Sequence, residues 1–183
     1  MNRQLELFLT ILLLLLALVL RVADLAELPP GFNTDELAFN RMTELMRDGD
    51  VAVHYDAGDG VGRAGMYALG NMLVTQLTGD GLLGYRLFSL WGGMVSLALL
   101  YLLARRLFGP YVALIALGLM SVNLRAIMLS RSATSEVFVP LYLILTLLVL
   151  AMTVNLSDKI RFRAPATLPF SMLAVLFGAA GYL

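Results

Sequence analysis

The residues best suited to carry chemistry in this sequence are two adjacent carboxylates, Asp35 and Glu36, which follow Pro29-Pro30-Gly31. Two prolines and a glycine redirect the chain sharply, so these carboxylates stand on a fixed turn. Asn33, three residues before Glu36, predicts a capping-box start for a helix of about residues 34–47. A carboxylate that is partly desolvated beside an apolar surface can act as a general base toward a hydroxyl.

A structural reading of the same pair is equally compatible with the local sequence. Acidic residues in the first turn of a helix are favoured by the exposed amides and the helix dipole, by about 0.3 to 1 kcal/mol. The predicted helix has apolar residues at helical spacing on one face and polar residues on the other, which is typical of a helix on a membrane surface. Its position just outside an apolar segment favours the catalytic reading.

The amino-acid composition indicates whether these elements fold in water or in a membrane. The chain has 183 residues, of which 60% are hydrophobic and 14% charged, and its mean hydropathy is +0.83. A single soluble domain could not bury that much apolar surface, so we expect an integral membrane protein with membrane lipids as partners. The net charge of zero gives no support for a nucleic-acid partner, and one His with no Cys argues against a zinc site.

Five apolar stretches predict an all-α, polytopic fold of about five transmembrane helices. Each approaches the roughly 20 residues that cross a bilayer. The predicted spans are approximately 5–23, 87–104, 111–129, 137–154 and 168–183, and the loop 24–85 separates the first two. The first stretch is longer than the apolar part of a usual signal peptide and lacks an Ala-x-Ala site, which favours a retained span.

The basic residues predict the orientation. With the N-terminus in the cytoplasm, six of them fall in cytoplasmic segments: Arg3, Arg105, Arg106, Lys159, Arg161 and Arg163. The loop 24–85 then faces the extracytoplasmic side, as in a bacterial-type plasma membrane, and holds ten of the thirteen acidic residues. Within it, Gly49 to Gly65 is rich in Gly and Asp, and its Asp56 to Gly60 run reads as a flexible surface loop, with His54 as an ordinary loop residue. Met66 to Leu77 returns to an apolar pattern that predicts a return to the membrane.

The outer end of the third predicted span contains polar residues where they are costly. Asn123, Arg125 and Arg131 lie in or beside an apolar segment, and such residues usually face a cavity or a partner group. Arg131 has two candidate partners: the carboxylate of Glu136, or the phosphate of a lipid carrier, for which a guanidinium is well suited.

The order of several short motifs resembles the N-terminal part of the C-type glycosyltransferases, and most closely the dolichyl-phosphate-mannose protein mannosyltransferases and the aminoarabinose transferases. The resemblance covers nearly the whole chain. The motifs are Arg21, Pro29 to Glu36, Gly62-Arg63, Arg86-x-x-Ser89, Arg105 to Gly109 and Ser130-Arg131.

The resemblance implies a multi-span enzyme that takes its sugar from a polyprenyl-phosphate carrier. Asp35 would then be the base toward an acceptor hydroxyl, and Glu36 would orient the site or help hold a divalent metal ion. Arg131 and Arg125 would bind the carrier phosphate and stabilise its charge as the sugar bond breaks.

Two departures from that family's pattern favour an alternative. Ala64-Gly65 follows Arg63 where relatives often carry an acidic residue and a proline, and relatives run to several hundred residues. The chain is therefore expected to be either the N-terminal portion of such an enzyme, over residues 1–183, or a truncated, non-catalytic membrane subunit that packs with other subunits in a larger complex.

Overall fold

The fold was analysed in a computed structural model that describes residues 2–25, 27, 30–56, 62–79 and 81–153. These residues form seven α-helices and one short hairpin. The elements are α1 (Arg3–Val22), α2 (Thr34–Arg47), β1 (His54–Asp56), β2 (Gly62–Ala64), α3 (Met66–Thr78), α4 (Leu82–Phe108), α5 (Pro110–Val122), α6 (Leu124–Arg131) and α7 (Phe138–Thr153).

The helices account for two to three membrane spans within the described residues. Helices α1 and α4 are long and apolar enough to cross a bilayer, and the bent pair α5–α6 adds a third if it is one span. Helix α7 is apolar but shorter. The mostly helical membrane fold is thus confirmed, whereas the number of about five spans stays a prediction, and the span predicted at 168–183 lies outside the described residues.

The third predicted span, 111–129, is not one continuous helix. The helix is interrupted at Asn123, whose backbone is extended (φ −66°, ψ 117°), and α5 and α6 meet there at an angle of 61°. The Asn123 side chain accepts a hydrogen bond from the amide of Ala126 at 3.0 Å and so caps the start of α6. An asparagine that caps a new helix explains the break, because it satisfies an amide that the break leaves free.

Helix α4 is the central element of the bundle and packs against α1, α5, α6 and α7. It is joined to α5 by Gly109 alone, at φ +86°, so the two helices are close neighbours as expected. Gly93 lets α6 approach α4 closely, since a Cβ atom at position 93 would lie 2.3 Å from Ser130 Oγ.

An outer layer of α2, the β1–β2 hairpin and α3 covers the start of α4. Its core contains Phe39, Met42, Tyr55 and Tyr67, and this core continues to Phe138 at the start of α7. The segment Asp56 to Gly60, predicted as a flexible surface loop, lies mostly outside the described residues, and the structure adds a hairpin beside it that the sequence did not predict. His54–Asp56 pairs antiparallel with Gly62–Ala64, and the buried Tyr55 fixes the chain just before β1, because its hydroxyl accepts from the Ala52 amide at 2.7 Å.

Candidate active site

The first turn of α2 forms as the sequence predicts. Asn33 is the N-cap, and a capping box joins it to Glu36: the carboxylate accepts a hydrogen bond from the Asn33 amide at 3.0 Å. The helix covers Thr34–Arg47. Asp35 and Glu36 therefore lie side by side in the first turn, but their side chains enter different environments.

Glu36 is completely buried and pairs with Arg86 at the start of α4. Arg86 Nε lies 3.3 Å from Glu36 Oε1, and both side chains have zero exposure. Glu36 Oε1 also accepts from the backbone amide of Ala133, between α6 and α7, at 2.8 Å. One carboxylate thus joins the outer layer, α4 and the α6–α7 connection.

Arg86 uses its other donors on the chain that leads from α1 to α2. It donates to the carbonyl oxygen of Leu25 at 2.9 Å and to that of Gly31 at 2.7 Å. Since a buried ion pair is stabilising only where further hydrogen bonds satisfy both groups, this pair meets the condition. Arg86 and Glu36 fix the redirecting turn in front of Asp35.

Glu36 does not fit the role of metal ligand. Both of its oxygens already accept hydrogen bonds, from Arg86 and from the amides of Asn33 and Ala133. Among the described residues no group of three or more His, Cys, Asp or Glu side chains could hold a metal ion. Of the two roles that the resemblance implies for Glu36, this geometry fits the orienting one.

Asp35 is the accessible member of the pair. Its side chain is 58% exposed, and Arg63 on β2 donates to Asp35 Oδ1 at 3.2 Å. Within the part of the chain that the structure describes, no hydrogen bond reaches Oδ2. The structure therefore brings together Asp35 and the Gly62-Arg63 motif, which are 28 residues apart in sequence.

Ser89, the last residue of the Arg86-x-x-Ser89 motif, lies in the protein interior, whereas Asp35 is exposed. Its hydroxyl is buried and is 2.8 Å from the Tyr67 hydroxyl of α3. Burial raises the pKa of the Tyr67 phenol above its ordinary range, so the phenol stays neutral. This contact fixes α3 against α4 one turn beyond Arg86.

Arg131 binds the end of α1. Its guanidinium donates to the carbonyl oxygens of Leu20 at 3.2 Å and Ala23 at 2.6 Å, and the residue is 8% exposed. A cation at a helix C-terminus satisfies carbonyl groups that lack an intrahelical partner. These two backbone carbonyl groups are partners of Arg131 that the sequence did not suggest. They come in addition to the two candidate partners considered in the sequence analysis.

Arg21 makes the reciprocal contact from α1. It is buried and donates to the carbonyl oxygens of Ser121 at 3.1 Å and Met120 at 3.3 Å, at the end of α5. It also donates to Ser130 Oγ at 3.2 Å. The break at Asn123 is therefore supported by Arg21, because carbonyl groups freed within an apolar region need a donor.

Arg125 occupies a different environment from Arg131, although both lie on α6. It is exposed, and it lines a cavity of about 300 Å³ at the helix break. The walls are mostly apolar and come from α4, α6 and α7, among them Leu97, Leu129 and Ile144. Among the described residues that line this cavity, neither Asp35 nor Glu36 occurs.

Sequence reasoning included Arg21 and Arg86 in the family motifs but assigned neither a role. Each is an arginine at the end of an apolar segment, and such a residue needs acceptors inside the protein. That signal could have marked both as buried, but their partners are about 50 to 109 residues away in sequence.

Comparison with known proteins gives one match. The sequence model of the family described as dolichyl-phosphate-mannose-protein mannosyltransferase matches residues 64–180, which is more than half of the chain. The match begins on β2, so it includes Arg86, Arg125 and Arg131 but not Asp35. No curated protein and no solved structure matches the chain.

Proposed function

Because the chain belongs to the dolichyl-phosphate-mannose-protein mannosyltransferase family, we propose that it transfers a sugar from a polyprenyl-phosphate carrier to an acceptor hydroxyl on the extracytoplasmic side of the membrane. Asp35 is the general base in this proposal. The observation that carries it is the exposed Asp35 carboxylate, held by Arg63 beside a buried Glu36–Arg86 pair.

In the proposed reaction, Asp35 takes part in one step, the removal of the proton from the acceptor hydroxyl. The acceptor hydroxyl gives its proton to the Asp35 carboxylate while its oxygen forms a bond to the anomeric carbon of the sugar. The bond between that carbon and the carrier phosphate oxygen breaks, and the phosphate leaves with the bonding electron pair. Arg63 binds only Oδ1 of Asp35, which leaves Oδ2 for the proton.

Glu36, the residue next to Asp35, holds the proposed base in position. Glu36 is held by its own N-cap, Asn33, and by hydrogen bonds from two other segments of the chain, at Arg86 and Ala133, so the backbone of the first turn of α2 cannot shift independently. A catalytic group must be held within a fraction of an ångström of its productive geometry. Glu36 is therefore a positioning residue, and Asp35 is the catalytic residue.

The donor is assigned to the break between α5 and α6. The apolar cavity suits the first isoprenoid units of a lipid carrier, and the exposed guanidinium of Arg125 at its lining suits the phosphate. Arg131 is already bonded to two carbonyl groups of α1. We therefore assign phosphate binding first to Arg125, with Arg131 holding α6 in place.

The test is a comparison of Asp35→Asn with Asp48→Asn in the full-length protein. Asp48 is exposed at the other end of α2 and provides a matched control for loss of one carboxylate. With labelled mannose on a polyprenyl phosphate and a serine- and threonine-containing peptide as acceptor, Asp35→Asn should lose about 10²- to 10⁴-fold in rate. Asp48→Asn should transfer at the parent rate. Equal rates for Asp35→Asn and the parent protein would remove Asp35 from its role.

A further inference from the structure

Helix α3 buries two polar residues and exposes a row of apolar ones, while Gln76 and Thr78 are also exposed near its C-terminal end. Asn71 and Thr75 are 0% and 1% exposed, and both face the interior with Tyr67. The opposite face forms a stripe of Met66, Leu69, Leu73 and Leu77, whose exposure reaches 89% at Leu77. None of the 13 residues of α3 is charged. This arrangement is the reverse of a helix that faces water.

The contacts between α3 and α4 indicate how deep in the bilayer this stripe lies. Gly70 lies against the Phe88 ring, where a Cβ atom would come within 2.2 Å, and Tyr67 reaches Ser89. Since only three residues separate α3 from α4 in sequence, these contacts require α3 to run back along the first turns of α4.

Helix α4 is about 40 Å long at 1.5 Å per residue, which exceeds the roughly 30 Å hydrocarbon core. Arg105 and Arg106 lie in its last turn, at the far end, whereas Arg86 near its start is buried in the pair with Glu36. The first turns of α4, and α3 beside them, therefore lie at the opposite boundary of the bilayer.

Trp91 supports the same depth independently. It is the one tryptophan of the sequence, it is 57% exposed, and its ring stacks on Phe88 at 6.3 Å with an interplanar angle of 7°. Tryptophan is enriched where hydrocarbon meets the headgroups. Phe88 thus connects the α3 helix to a residue type that marks this boundary.

We propose that the stripe of α3 is immersed in one leaflet and that its partner is the upper part of the lipid acyl chains, just below the headgroups. The apolar stripe then contacts lipid, and the polar face stays against the protein. Helix α3 does not span the membrane but fixes the outer layer, with α2 on it, at the bilayer surface. This proposal rests on the polarity of α3 and holds whether or not Asp35 is a base.

Single-tryptophan variants test the proposal in the full-length protein in phosphatidylcholine vesicles. Trp91→Phe provides the background, and Leu73→Trp or Leu77→Trp is added to it. Both leucines are exposed, so tryptophan at either position leaves the packing unchanged. Asp48→Trp in the same background is the control in an exposed, charged part of α2.

Two quenchers distinguish the environments. Lipid brominated near the headgroup end of the acyl chain should quench the tryptophan at 73 or 77 more strongly than the one at 48, and aqueous iodide should show the reverse order. Iodide quenching at 73 and 77 without lipid quenching would overturn the proposal, because the stripe would face water. Protection from both quenchers would also overturn it, because a protein surface would then cover the stripe.

Discussion

The guanidinium of Arg86 and the carboxylate of Glu36 meet at 3.3 Å with no exposure of either side chain. The two residues are 50 positions apart in sequence, and their pairing attaches the outer layer to the central helix α4. The pair also helps to position the candidate base, since Asp35 precedes Glu36 in the same helical turn.

Removal of one partner of this pair should destabilise the protein strongly. Glu36→Ala leaves the Arg86 charge buried without its carboxylate, and such a change typically costs about 3 to 5 kcal/mol. The free energy of unfolding in detergent, followed by circular dichroism, should fall by that order. Asp48→Asn, at an exposed site, should remain within about 0.5 kcal/mol of the parent protein.

The double variant Glu36→Met/Arg86→Met separates the charge from the packing. Because both charges are gone, it should be more stable than Glu36→Ala, although the carbonyl groups of Leu25 and Gly31 lose a donor. A double variant as unstable as the sum of the single variants would contradict the account of Glu36 and Arg86 as a coupled pair.

Arg63 should affect transfer without affecting stability. The Arg63 side chain is 13% exposed but its partner Asp35 is 58% exposed, so solvent screens the ion pair, and its loss in Arg63→Met should change the free energy of unfolding by less than about 1 kcal/mol. If the pair orients the base, the rate of sugar transfer should fall about 10- to 100-fold. Arg41→Met, on an exposed part of α2, is the matched control and should transfer at the parent rate.

The two arginines of α6 should separate donor binding from stability. Arg125→Gln should raise the KM for the lipid-linked donor about tenfold or more and leave the unfolding free energy unchanged, because the residue is exposed at the cavity. Arg131→Gln should lower the unfolding free energy by about 1 to 3 kcal/mol, because carbonyl groups at the end of α1 lose a charged donor.

The opposite result would reverse the assignment. A raised donor KM for Arg131→Gln, with stability retained and Arg125→Gln unchanged, would place the phosphate at Arg131. Donor titration and thermal unfolding on the same preparations distinguish the two outcomes.

The predicted orientation can be measured with single cysteines, since the natural chain has none. Asp48→Cys, at the C-cap of α2, should react with a membrane-impermeant maleimide in intact cells, because the loop 24–85 is proposed to face outward. Gln4→Cys at the start of α1 should react only after the membrane is permeabilised. Both positions are exposed in the fold, so the reverse pattern would mean an inverted topology.

Local signals predicted the start of α2 correctly. The helix and its capping box depend on neighbours within one turn, and Asn33 and Glu36 are three residues apart. The membrane class followed from composition alone. Local signals could not predict which residues of α2 are buried against the rest of the fold, because the burial of Glu36 depends on Arg86, a residue of α4.

Apolar periodicity also concealed the break at Asn123. One polar residue in a long apolar run is compatible with a continuous helix, and the break is stable here because Arg21 reaches it from α1, about 100 residues earlier. The β1–β2 hairpin was missed for a related reason. Gly and Asp are typical of loops, whereas β1 contains the buried Tyr55, whose hydroxyl contacts backbone groups of Asp50 and Ala52 just before the strand.

The exchange of arginines between α1 and the α5–α6 pair has a consequence for proteolytic processing. A peptidase cut between α1 and α2 that released α1 would remove the donor to Met120, Ser121 and Ser130, and would take away two acceptors of Arg131. Polar groups would then be exposed to lipid at the broken helix, which is costly. The first helix is thus a structural partner of the third predicted span, and its removal would take away Arg21, which lines the same cavity as Arg125.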